Sequence, residues 1–436
     1  MPFVKSKLTL VTLFVFAIVA IPCQPVFSQE FSTNSIKAIL GHFENGRAVI
    51  CFNESQKCVV IDKQGTVVIA PESLSPKKPV KIGEFRNGLA QVQIGPYSDA
   101  KVGFIDINGN WAIKPIFHGA GYFSETDNLV NAQKEQDGKW GYVDKKGKWI
   151  IPPRYYEALA FSHGYATVRV SKLDDVHGLW GVIDRKGKWA IPPTDKSENG
   201  VPGAFTDQGA WLFQGGKHLL VAFYTGKPLS RMYDAFLDFN EGTGVGRFCN
   251  GPTGTGFNPI YTACYEVNRY GRERSIPMPL IVHYQNREFV ANAVLPHDGI
   301  YIMATANSPF DDKGLVTEDG RWVLGPSSAY DFIDYAGEGK WRVSIRKGSC
   351  KFVKDATCDY YVNNKGKADP PVEFWIGDDF SDGLAAVTQE DGTGGYLKDG
   401  SWGISPETLQ KNLARWYKAE DEAIATNNRK RLSALH

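Results

Sequence analysis

One phrase recurs along this chain of 436 residues. It runs from Lys139 to Pro153 as Lys-Trp-Gly-Tyr-Val-Asp-Lys-Lys-Gly-Lys-Trp-Ile-Ile-Pro-Pro and returns almost unchanged from Leu179 to Pro193. Repetition at a period of tens of residues constrains a fold more than any single motif, because each unit can bury its apolar face only against its neighbours. Followed through the glycine that ends its Asp-x-x-Gly turn, the phrase stands at Gly65, Gly109, Gly147, Gly187, Gly226, Gly271, Gly320, Gly366 and Gly400, nine copies in all. Copies two to four are the sharpest. Copies five and six keep little beyond the turn.

A second element precedes the phrase, of the form Phe-x-x-Gly-x-Ala-x-Val, beginning at Phe43, Phe85, Phe161 and Phe380 and more loosely at Phe205. Between these landmarks Val, Ile, Trp, Tyr and Phe crowd segments of about five residues separated by turn formers, which is the pattern of strands. Each unit thus predicts a strand after Phe-x-x-Gly, a second ending at the Asp, and a third after the turn glycine that stops at Pro-Pro, where the ladder loses its N–H donor. There is room for a short fourth strand around residues 154–158. No apolar period of 3.6 is sustained between Gly41 and Ile404, so the body reads as all-β, a tandem array of antiparallel β-repeats. A propeller-like ring and an open superhelical array both fit, since nine units exceed the usual four to eight blades.

Turn geometry accounts for the recurring polar residues. Asp accepts hydrogen bonds from the backbone two residues on, and Gly supplies the positive φ of a tight turn. Asp62, Asp106, Asp144 and Asp184 are therefore read as turn residues and not as metal ligands or acids, because a calcium site needs several oxygen ligands and each turn offers one.

These residues resemble the bacterial WG-repeat proteins, named for a Trp-Gly pair found here at Trp140-Gly141 and Trp180-Gly181. Asp144, Gly147, Asp184, Gly187, Asp106 and Gly109 complete the signature in the sharp copies. The chain departs from it at Ala222 and Glu266, where the family's glycine is expected. The resemblance implies binding or scaffolding and carries over no catalytic residue.

Residues 1–28 differ in kind. Lys5 and Lys7 precede an apolar run from Leu8 to Ile21, and Val26-Phe27-Ser28 offers a cleavage site, the pattern of an export signal. Fourteen apolar residues fall short of a membrane span. Pro22 before Cys23 makes a poor lipoprotein site. Removal of residues 1–28 leaves six cysteines, and the repeat register pairs them: Cys51 with Cys58, Cys249 with Cys264 and Cys350 with Cys358 each flank the loop between the first two strands of a copy. An oxidising compartment would then form three local disulfides.

Beyond the signal lies an array over 29–404, regular from 41 to 193 and diverged from 202 to 404, with residues 192–202 as a hinge. Residues 405–436 form a C-terminal helix and tail. Ser405 can cap that helix, Pro406 suits its first turn, and Leu409, Leu413, Trp416 and Ile424 recur at helical spacing, so it caps the edge of the last repeat. Gly251-Pro252-Thr253-Gly254-Thr255-Gly256 lacks the Gly-Lys-Ser/Thr ending of a phosphate loop and reads as a hairpin tip.

No Gly-x-Ser-x-Gly or His-Glu-x-x-His pattern occurs, so neither enzyme nor cofactor is expected. Forty-nine basic residues against forty-eight acidic ones give no electrostatic case for nucleic acid. The expected function is that of an exported, periplasmic or secreted scaffold binding a protein or peptide through loops on one face. The alternative is a glycan-binding module using exposed aromatics, with Trp211 and Trp375 as its candidate ligand platforms.

Overall fold

The computed structural model describes residues 30–32, 37–52, 57–96, 99–124, 126–171, 178–193, 204–214, 216–240, 243–253, 260–276, 281–291, 298–305, 312–346, 349–350, 357–368, 374–389, 394–399 and 401–433. The export signal at 1–28, residues 194–202 of the expected hinge at 192–202, residues 254–256 of the expected hairpin tip at 251–256, and Gly400 lie outside the described residues.

Among those residues the chain forms nine antiparallel sheets in sequence order, spanning 30–69, 80–117, 119–155, 157–191, 209–222, 235–276, 281–327, 330–363 and 376–404. Eight have at least three strands. The fifth is a two-stranded hairpin, extended by isolated bridges from Phe205 and Tyr233. The sheets form a propeller-like ring: Tyr396 Oη of the ninth sheet donates to Gly41 O of the first at 2.9 Å, and Ser381 Oγ donates to Phe43 O at 2.7 Å.

The third sheet shows how the phrase folds. Gly119–Ala120, Leu129–Gln133, Trp140–Asp144 and Trp149–Tyr155 pair in that order. Asp144 Oδ1 accepts from the N–H groups of Lys146 and Lys148, both at 2.9 Å, and Gly147 takes φ +79. Asp62, Asp106 and Asp184 repeat the arrangement, as do Asn268 and Asn363 in the diverged copies. The Phe-x-x-Gly turns carry two consecutive residues at positive φ, such as Asn45-Gly46, Asn87-Gly88, His163-Gly164 and Asp382-Gly383, the conformation of a two-residue type I′ hairpin. Their phenylalanines are buried.

Two expectations are corrected. The strand after the turn glycine stops before Pro-Pro in the fourth sheet, where Trp189–Ile191 ends ahead of Pro192, but not in the third: Trp149–Tyr155 runs through Pro152 and Pro153, because this is the edge strand and the prolines occupy a bulge, Tyr142 facing Ile151 and Trp140 facing Tyr155. The short fourth strand divides, Tyr155 ending one sheet and Glu157–Ala158 opening the next.

The bulge explains the glycine of the Trp-Gly pair. A Cβ on Gly141 would lie 2.5 Å from Ile151 O and 2.7 Å from Pro153 N, and Gly103, Gly181, Gly314 and Gly395 meet the same obstruction from the folded-over edge strand. In the sixth sheet the edge ladder has no bulge, and Tyr265 occupies the equivalent place three residues before Asn268. The expected position Glu266 was thus one residue late. Ala222 holds the turn-acid place, its N–H reaching Lys227 O across a longer turn.

After the short helix α1 (Pro71–Leu74), which leads to the second sheet, the remaining helix is α2 (Pro406–Ser433). It does more than cap the last repeat. Leu409 and Leu413 are fully buried in a core built jointly by the first and ninth sheets, and Phe52 of the first sheet stacks on Trp416, with ring centroids 5.7 Å apart.

Candidate functional site

Strand direction gives the ring two unlike faces. The type I′ turns and the Asp-x-x-Gly turns emerge together on one face, while the loops between second and third strands emerge on the other. The turn face is occupied by contacts between neighbours. The residue after the turn acid reaches back to the turn that enters the previous sheet, which is type I′ at Asp382 and Asn87: Lys63 to Asp382 at 2.9 Å, Lys145 to Asn87 at 2.8 Å, Arg269 to Asp207 at 3.1 Å, and Arg185 to the fully buried Asp127 carboxylate. Carboxylates also cross between turns, Asp382 accepting from Gly46 N and Asp127 from Gly164 N. The described turn carboxylates are thus engaged by backbone N–H groups of their own turns or of neighbouring ones.

The loop face carries the disulfides. Cys51–Cys58, Cys249–Cys264 and Cys350–Cys358 are bonded, with Cα separations of 4.0, 4.1 and 6.1 Å. The first two pairs are directly opposite on adjacent strands.

Exposed apolar side chains concentrate in the diverged half. Phe213, Met232, Phe236, Tyr284, Phe332, Trp375 and Ile376 all lie at the loop-face ends of their strands or in the links between them. Two of these residues form a chain of rings through His218: Phe213, 45% exposed, lies 5.0 Å from His218, which lies 5.7 Å from Phe236, 40% exposed. Partial burial lowers the His218 pKa, so this ring favours its neutral form.

The two candidate ligand aromatics separate. Trp211 is only 5% exposed and stacks on Phe248 at 3.9 Å, so its face is already covered. Trp375 is 37% exposed. The tryptophans after the turn glycines are half-buried packing residues: Trp149 meets Phe117 edge-on, at 5.7 Å, and Trp189 meets Tyr155 at 6.3 Å.

Below Trp375 the seam between the eighth and ninth sheets holds a charged network that sequence reasoning missed. In the second and third sheets the third residue after the entry turn is an amide that clips onto the next sheet, Gln91 to Ala120 O at 2.7 Å and Asn131 to Ala158 O at 2.8 Å. At that place the eighth sheet has Arg342, whose Nη1 donates to Gly377 O at 2.6 Å and whose guanidinium pairs with Asp334. Asp359 accepts from Ser344 Oγ at 2.6 Å and from Gly377 N at 3.1 Å. Asp378 lies 3.4 Å from His42 of the first sheet. Burial holds Asp334, Asp359 and Asp378 above the ordinary carboxylate value, opposed by Arg342, by the Ser344 and Gly377 donors, and by His42 respectively. Comparing the residue three places after each turn glycine is the signal that would have found Arg342.

Among the described residues no group of three or more His, Cys, Asp or Glu side chains has the arrangement of a metal site. No described helix is long and apolar enough to cross a membrane.

The family model described as WG containing repeat matches residues 103–139, 140–173 and 180–194. No curated protein is similar to the chain in sequence. Among solved structures, the tricorn protease is 10% identical over 85% of this chain and 47% of its own, at a TM-score of 0.29, so the chain spans about half that protein's length. The dihydro-heme d1 dehydrogenase NirN in complex with DHE is 10% identical over 80% of this chain and 75% of its own, at 0.32. Hsv2 of Kluyveromyces lactis is 9% identical over 63% of this chain and 91% of its own, at 0.29. Likenesses this loose carry nothing about activity.

Proposed function

We propose that this chain, a member of the WG-repeat family, is an exported, non-enzymatic scaffold that binds a protein or peptide partner through the loop face of its diverged half. The observation that carries the reading is the unequal use of the two faces. The turn face is largely spent on contacts between sheets, with Tyr224 and Tyr270 as its exposed aromatics, whereas the loop face of the fifth to ninth sheets leaves the adjacent pair Phe213 and Phe236, together with Met232, Tyr284 and Trp375, in solvent, and clustered exposed apolar residues mark interaction sites. Three disulfides suit an oxidising compartment, which supports periplasmic or extracellular residence.

Glycan binding is the second reading, and the exposure of Trp375 is what favours it. One experiment separates the two. The mature protein is immobilised and exposed to envelope extract, alongside Phe213→Ser/Phe236→Ser and Trp375→Ala variants. Capture of one protein by the wild type and its loss with the double variant supports the scaffold. Retention of a polysaccharide that depends on Trp375 and is indifferent to Phe213 and Phe236 refutes it.

A further inference from the structure

Among the described residues no strand is exchanged between the ends of the ring, since the ninth sheet is built from residues 376–404. Its closure therefore rests on side-chain contacts across the seam and on α2, which is anchored in both terminal sheets. Toward its N-terminus α2 inserts Leu409 and Leu413 into the shared core. Asn412 Nδ2 donates to Gly65 O at 3.1 Å in the first sheet. One turn further on, Trp416 and Tyr417 both pack on Phe52, and Glu420 pairs with Lys57.

Phe52 and Lys57 are the residues immediately inside the Cys51–Cys58 disulfide, and Phe52 N donates to Lys57 O at 2.8 Å. The bridge thus fixes the spacing of the two side chains that hold the middle of α2, at Trp416 to Glu420. Neither other disulfide touches α2. Cys51 is half-buried while Cys58 is 2% exposed, so Cys51 is the more accessible half of the bridge.

We propose that α2 is a redox-sensitive latch on the ring, held shut by the Cys51–Cys58 disulfide. An external dithiol supplies the two electrons. Its thiolate attacks Cys51 Sγ, the S–S bond breaks with Cys58 leaving as thiolate, and the second thiol resolves the mixed disulfide. The products are two protein thiols and the oxidised dithiol. Without the bridge, Phe52 and Lys57 separate, Trp416 and Glu420 lose their common platform, and α2 opens from its distal end toward Leu413.

The test uses the folded full-length protein, treated briefly with dithiothreitol, alkylated and digested with limiting trypsin, which cuts α2 after Arg415 and Lys418. Peptide mapping scores each disulfide separately. Cleavage at these sites is expected to rise at least about tenfold in molecules with Cys51 and Cys58 alkylated, the shift implied by losing half of a short disulfide's usual stabilisation. Opening the other bridges should leave α2 protected. A Phe52→Ala variant, with all sulfurs intact, should reproduce the release. Protection of α2 in molecules with alkylated Cys51, or equal release on opening any of the three bridges, overturns the proposal.

Discussion

Replacing Gly141 by alanine tests the account of the Trp-Gly pair directly. Gly141 has ordinary extended backbone within Trp140–Asp144, so alanine meets no conformational penalty there. The obstacle is steric and is made of backbone: Ile151 O at 2.5 Å, Pro153 N at 2.7 Å and Pro152 C at 2.8 Å from the new Cβ. Real Cβ atoms do not approach so closely, and the bulged edge strand must move or unpair. Overpacking of this kind costs roughly 3 kcal/mol. Gly88→Ala is the matched control, because Gly88 has φ +78 and no neighbouring atom within 4 Å. Its cost is left-handed strain alone, about 1–2 kcal/mol. Urea unfolding gives the total loss, and hydrogen exchange over residues 140–155 reports whether the third sheet's edge has come loose. If Gly141→Ala costs no more than Gly88→Ala and leaves exchange over 149–155 unchanged, the close approach does not explain the pair.

Four further outcomes are expected. Tyr142→Phe should cost about 1 kcal/mol by urea denaturation, since its hydroxyl satisfies Leu159 O in the next sheet at 2.8 Å. Arg185→Ala should cost about 1–3 kcal/mol by the same assay, because it strips the partner from the buried Asp127 carboxylate, whereas Lys186→Ala on the same turn should be near neutral. Asp378→Asn addresses pH. A carboxyl raised above its ordinary 3.8 in the folded state contributes stability that is complete below that value and is lost as pH rises through the folded pKa. The variant should therefore unfold at a higher temperature than wild type at neutral pH, with the gap closing toward pH 3; a less stable variant at neutral pH would mean that the His42 pair outweighs burial. Phe213→Ser/Phe236→Ser should keep stability within about 0.5 kcal/mol by thermal unfolding while abolishing partner capture.

The repeat was legible because its rules are local. Asp62, Asp106, Asp144 and Asp184 bond backbone two and four residues ahead, so the turn can be read from four consecutive letters. The same register brought the cysteines into pairs. Ring closure was not legible, because the contacts that make it join residues more than three hundred positions apart, such as Gly41 with Tyr396 and Gly46 with Asp382. The run through Pro152 and Pro153 was misjudged for a related reason: proline ends a central ladder, but only the assembled sheet shows that this strand is an edge. Trp211 and Trp375 look alike as letters. Stacking on Phe248, which comes from the next sheet, is what removes the first from solvent.

The decay of the repeat after residue 202 then has a physical reading. On the turn face a substitution is felt twice, once in its own turn and once in the neighbour it clasps, as Asp382 shows by binding both Gly46 and Lys63. The turn chemistry accordingly persists even in diverged copies, where Asn268 and Asn363 still make the aspartate's two bonds. The loop face carries no such double constraint. There the fifth sheet can thin to a hairpin, Gln91 and Asn131 can give way to Arg342, and phenylalanines can point into solvent without loosening a neighbour. Divergence that is greater on one face, with the turns of the other mostly kept and Ala222 the departure, is what a ring built to present the first face would accumulate. Grafting the 213–218 segment of the fifth sheet onto the fourth should therefore leave the ring folded, whereas exchanging Asp382-Gly383 for Ala-Ala should not; circular dichroism and small-angle scattering on the two variants distinguish these outcomes, and an unfolded graft would refute the division of labour between the faces.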